Sequence, residues 1–224
     1  MRYEEIIERL KRKADPECVA GMARFGINPD KTLGVSIPVL WNLSKEIGKN
    51  HDLAAKLWRS GIHEARILAG IIDEPEKVTE KQMDRWVRDF DSWDVCDQVC
   101  SRLFDKTPLA YKKAYEWTKR DEEFVKRAGF VMMAALSVHD KKASDKEFEK
   151  FFPVIIREAE DERNYVRKAV NWALRQIGKR NKALNKEAIQ TAERIRKIDS
   201  KSARWIATDA LRELRSDAVQ RRLK

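Results

Sequence analysis

The chain has 224 residues, enough to bury a core of its own as one domain or a short array of repeats. Charged residues make up 38% of it against roughly a quarter in ordinary soluble proteins, and 8 Gly and 6 Pro leave room for few turns, so an all-helical chain with broad solvated faces is expected. The net charge is +10; no apolar run reaches the roughly 18 residues of a membrane span and the N-terminus lacks the apolar stretch of a signal peptide, so a cytoplasmic protein with no membrane partner is expected.

Helix signals recur from end to end. Tyr3 to Ala14 carries Ile6, Ile7 and Leu10 on one face. Asp15-Pro16 then reads as a cap followed by a first-turn proline, opening a helix that stops near Gly26. Residues 27–36 form the longest turn-rich segment. Ser36 is placed to cap a helix running through Trp41 and Ile47 to Gly48. Leu53–Trp58, Glu64–Ile72 and Gln82–Phe90 continue the series, separated by Gly61, Asp73-Glu74-Pro75 and Asp91-Ser92. No segment alternates with period two, so no sheet is expected.

Later helices resemble one another when set out on an arginine: Arg127 through Leu136, Arg167 through Arg175 and Arg204 through Arg212. The starting arginines are 40 and 37 residues apart, and Arg66 through Ile72 is a weaker echo. A period near 40 with two helices per unit is the signature of HEAT-like repeats, in which stacked helix pairs bury their apolar stripes against neighbours and leave a concave face. The expected fold is an all-α HEAT-like solenoid, a curved α-α superhelix, with residues 1–224 as a single domain. Residues 1–140 hold 24 basic and 24 acidic residues, whereas 141–224 hold 23 and 13, so the positive excess sits at one end. Such a field suits a polyanionic partner, although a merely solvated surface is the other reading.

Three features carry candidate chemistry. Trp93 and Asp97 are four apart, so one helical face presents an indole and a carboxylate together; a core tryptophan beside a salt-bridged aspartate fits the same spacing. Arg127 opens a strongly apolar helix and must snorkel to solvent, meet an anion or make an ion pair between repeats, the last supported by the recurrence at Arg66, Arg167 and Arg204. Trp172 is followed by Arg175, Lys179, Arg180 and Lys182, an interleaving of aromatic and basic residues that suits nucleic acid but also fits a core tryptophan beside a solvated patch. Cys18, Cys96 and Cys100 read as small buried core residues, and with His51, His63 and His139 scattered no metal site is expected. Phosphate-loop, serine-elbow and zinc-protease motifs do not occur, and the histidines have no partners at catalytic spacing.

At these residues the chain resembles the AlkD family of alkylpurine DNA glycosylases. The resemblance includes Gly21-Met22-Ala23-Arg24-Phe25, Leu57-Trp58, His63-Glu64-Ala65-Arg66, Trp93-Asp94-Val95-Cys96-Asp97, Val125-Lys126-Arg127-Ala128 and Lys168-Ala169-Val170-Asn171-Trp172-Ala173-Leu174-Arg175. It implies a monomeric, cofactor-free glycosylase that excises cationic N3- or N7-alkylated purines from double-stranded DNA. Trp93, Asp97, Arg127 and Trp172 would form its catalytic site and Arg175 would contact DNA; Lys168, Lys179, Arg180 and Lys182, the basic residues around Trp172, are the further expected DNA-binding residues. The segment Gly34–Leu40 departs from the family in being apolar, and Phe25 stands where a tyrosine can occur. Two alternatives are a non-catalytic binder of duplex or branched DNA with the same fold, and a helical-repeat protein adaptor.

Overall fold

The computed structural model describes residues 1–223, and among them every regular element is helical. The chain divides into two compact units, Met1–Pro108 and Leu109–Lys224.

The first unit contains α1 (Tyr3–Arg12), α2 (Pro16–Arg24), α3 (Ile37–Ile47), α4 (His51–Arg59), α5 (His63–Ile72), α6 (Glu80–Arg88) and α7 (Trp93–Arg102), with a 3-10 turn at Pro75–Lys77. Several helices begin where the sequence indicates. Asp15 caps α2 by accepting the Glu17 and Cys18 N–H groups, with Pro16 in the first turn, and Asn50 caps α4 through the Leu53 N–H. Ser36 stands at the start of α3 but makes no side-chain cap, and Gly48 ends that helix at φ 73°, a conformation that favours glycine. α5 is buried along nearly its whole length, with α3 on one side and α7 on the other. Trp58 stacks on the fully buried Trp86 at 4.0 Å between ring centroids and donates from Nε1 to Asp89 at 2.8 Å.

The second unit contains α8 (Ala110–Trp117), α9 (Glu123–His139), α10 (Asp145–Glu149), α11 (Phe152–Arg157), α12 (Asn164–Gly178), α13 (Lys182–Arg196), α14 (Lys201–Leu214) and the short α15 (Asp217–Gln220). α9 is apolar around its circumference, and every residue from Arg127 to Ser137 is buried because α8 and α12 pack against it. α14 in turn lies against α12 and α13.

Side-chain ties between successive helix pairs expose the repeat length. In the first unit Leu33–Glu64, Trp58–Asp89 and His63–Asp94 each span 31 residues. In the second unit Arg127–Tyr165, Asn171–Asp209 and Arg175–Glu213 each span 38. The 40- and 37-residue periods therefore belong to the second unit, and the weak echo at Arg66 is explained by shorter repeats in the first. Cysteine burial also needs one correction. Cys96 and Cys100 are core residues, but Cys18 is exposed because α2 contributes no buried residue, and its thiol bonds the Asp15 carboxylate at 3.2 Å.

Candidate functional site

In the first unit the site begins at the N-terminus of α7. The turn-rich segment before α3 is pinned there by three bonds. Asn28 N–H donates to the buried Ser92 hydroxyl at 2.9 Å, the Asn28 amide reaches Asp91 at 3.1 Å, and the Trp93 indole N–H donates to the Phe25 carbonyl at 3.1 Å. Farther along, Glu64 accepts the backbone N–H groups of Leu33, Gly34 and Val35 at 2.9, 2.7 and 3.1 Å, so a buried carboxylate is satisfied by a backbone anion nest. Gly34 is required there: its φ is +79°, and a Cβ would lie 2.3 Å from the Asp15 carbonyl oxygen. The apolar stretch Gly34–Leu40 thus turns partly inward, with Val35 and Leu40 in the core.

α7 buries Val95, Cys96, Val99 and Cys100 on one face and leaves Trp93, Asp94, Asp97 and Gln98 only half-buried on the other. Asp97 is therefore a half-buried carboxylate one helical turn from an indole, outside the apolar face of its helix. Asp94 bonds His63 Nε2 at 2.8 Å and the Val95 N–H at 2.9 Å. This pair escaped the sequence reading because its partners sit one repeat apart.

In the second unit Arg127 is 6% exposed and donates from Nη1 to the Tyr165 carbonyl at 2.7 Å, tying α9 to the first turn of α12. Trp172 is half-buried on α12. Three of the five basic residues expected at DNA are already engaged within this unit. Arg175 pairs with Asp209 at 3.4 Å and with Glu213, and Lys179 pairs with Glu213 at 2.6 Å. Burial pushes the Glu213 pKa up, but Lys179 and Arg175 outweigh it and hold the carboxyl below its ordinary value. Arg180 donates to the Ser137 and Ala143 carbonyls, both at 2.9 Å, and lies 4.2 Å over the Phe148 ring. Lys168 and Lys182 are exposed.

Register adds a residue that sequence reasoning missed. Counting from the first residue of α7, α9, α12 and α14, the fifth positions are Asp97, Arg127, Lys168 and Trp205. Trp205 is 37% exposed, the Arg167 guanidinium carbon lies 5.1 Å from its ring, and Lys201, Arg204 and Arg212 are exposed on the same helix. Alignment of Arg167 with Arg204 already sets Trp205 opposite Lys168, but the sequence alone does not show that its indole is exposed. Among the described residues no group of three or more His, Cys, Asp or Glu side chains is arranged to hold a metal.

The profile of the DNA alkylation repair enzyme family matches residues 6–214. A solved structure from work describing "a new family of proteins related to the HEAT-like repeat DNA glycosylases with affinity for branched DNA structures" matches with a TM-score of 0.79 at 18% identity, over 95% of this chain and 95% of that one. At that identity the likeness establishes a shared HEAT-like helical-repeat fold. Comparison with curated proteins gives no significant match. Because the family profile covers nearly the whole sequence, the chain belongs to the DNA alkylation repair enzyme family.

Proposed function

We propose that this protein is a monofunctional DNA glycosylase that binds duplex DNA and hydrolyses the N-glycosidic bond of purines alkylated at N3 or N7. The observation that carries this reading is the Asp97 carboxylate, held outside the apolar face of α7 one turn from Trp93. An alkylated purine is cationic and leaves with the C1′–N bonding pair, becoming neutral as it departs. Positive charge develops on the sugar, and a fixed carboxylate stabilises it electrostatically. Water then adds at C1′ and gives up its proton to Asp97 or to solvent. The face of Trp93 offers the charged nucleotide a cation–π contact worth about 0.5–2 kcal/mol. Within the second unit, Arg127 ties α9 to the start of α12, which carries Trp172.

The decisive experiment is incubation of methylated duplex DNA with wild type and Asp97→Asn, with released bases separated by chromatography. The wild type is expected to release 7-methylguanine or 3-methyladenine, and the variant to do so about 10²–10³-fold more slowly while keeping most of its DNA affinity. Equal release by both proteins removes Asp97 from the mechanism. A non-catalytic DNA binder is the second reading, favoured by the branched-DNA affinity described for the structural relative. It predicts no base release by the wild type and tighter binding to a branched junction than to a matched duplex.

A further inference from the structure

The C-terminal ends of α3, α5 and α7 enclose an open cleft of about 330 Å³ within the first unit, lined chiefly by Trp41, Lys45, Lys49, Ile71, Arg102 and Lys106. Four of these side chains are cationic and, among the described residues, none that lines the cleft is acidic. The concentration is local, because this unit as a whole carries 18 basic against 19 acidic residues. Cations near helix C-termini have an ordinary explanation, since basic residues compensate exposed carbonyls there. That explanation covers Lys49, which donates to the Ile71 and Asp73 carbonyls at 2.8 Å, and one bond of Lys106, to the Arg102 carbonyl. Lys45 and Arg102 stand in the last turns of α3 and α7, but among the described residues neither side chain bonds a carbonyl there. Lys45 is exposed and makes no hydrogen bond or ion pair among the described residues. The Arg102 guanidinium carbon lies 4.8 Å from the Trp41 ring centre, and its Nε is buried without an acceptor. Burial, and to a smaller degree the charge of Lys106, pull the Lys49 pKa down against the opposing charges of Asp73, Glu76 and Glu74.

We propose that this cleft is a phosphate-binding site that takes a backbone phosphodiester of a nucleic-acid strand. A guanidinium held against an indole, with an unpaired N–H and two neighbouring ammonium groups, matches the multiple acceptors of a phosphate. An open trough suits one link of a polymer passing across it. Arg102 lies five residues beyond Asp97, about 7.5 Å along the α7 axis and about 140° around it, so the cleft is a contact separate from the carboxylate's face. The proposal rests on the nucleic-acid-binding part of the function above and is independent of the glycosylase step.

The test is fluorescence anisotropy of a labelled, undamaged duplex across a sodium chloride series. It compares wild type, Arg102→Gln and the double variant Lys45→Ala/Lys106→Ala, with thermal melting to verify folding and a parallel titration with inorganic phosphate. The variants are expected to bind duplexes of different sequence uniformly more weakly, with log–log salt slopes shallower by about one unit. Lys45→Ala alone, which removes no internal bond, should move the slope in the same direction. A steep wild-type slope that every variant retains overturns the cleft while leaving DNA binding intact. Wild-type protein without duplex affinity, but with phosphate binding that the variants lose, overturns the backbone assignment in favour of a small phosphate ester.

Discussion

The pair His63–Asp94 joins α5 to α7 one residue after Trp93. Burial pulls the imidazole pKa down, but the hydrogen bond and charge of Asp94, with Glu64 and Asp91 nearby, outweigh it and hold the pKa above the ordinary histidine value. A raised folded-state pKa contributes stability that is fully present below the unfolded value, near 6.5, and is lost as pH rises through the folded value. Thermal melting between about pH 6 and 8 is therefore expected to show a fall in wild-type stability that His63→Gln flattens. Parallel pH profiles for the two proteins would rule the pair out as the source. The same scale explains the basic residues near Trp172: Arg175 and Lys179 share the carboxylate of Glu213, and Arg180 is bound to two carbonyls. Their charges hold α12 in place, which leaves Lys168 and Lys182 as the solvent-facing members of the set.

α9 is held so closely by α8 that Gly129 is required by contact rather than by conformation. A Cβ at this position would lie 2.7 Å from Thr118 Cγ2, 2.8 Å from the Thr118 backbone nitrogen and 3.1 Å from the Ala114 carbonyl oxygen. Gly21 in α2 is the natural comparison, since its nearest neighbour would be an Arg24 side-chain nitrogen at 3.8 Å. Alanine is favoured over glycine in a helix by about 1 kcal/mol, so Gly21→Ala is expected to raise stability by roughly that amount. Gly129→Ala should instead destabilise by about 1–3 kcal/mol, because backbone must move to admit the methyl group. Urea denaturation of both variants checks the contrast, and a stabilised Gly129→Ala would mean that α8 yields freely.

At the scale of the whole molecule, the positive charge is lopsided. Leu109–Lys224 carries 29 basic and 18 acidic residues, whereas Met1–Pro108 is nearly balanced. If the chain binds duplex DNA through that excess, affinity should fall steeply with salt, with a log–log slope near −0.9 for each phosphate neutralised. A wild-type slope near zero, measured by anisotropy on undamaged duplex, would exclude a phosphate-dominated interface.

Caps, apolar periodicity and the 37–40-residue echo were legible in the chain because each is local: Asp15-Pro16, Gly48 and the arginine-led helices declare themselves within one or two turns. The helical class and the candidate pair Trp93 and Asp97 follow from the same short-range spacing. Pairing does not follow from it. Glu64 finds its nest 31 residues back, Arg175 finds Glu213 38 residues ahead, and Arg102 meets Trp41 across 61. Stacking of helix on helix selects those partners from many acids, aromatics and carbonyls of equal sequence merit. Tertiary packing alone therefore decides which cations are neutralised within the fold and which remain exposed.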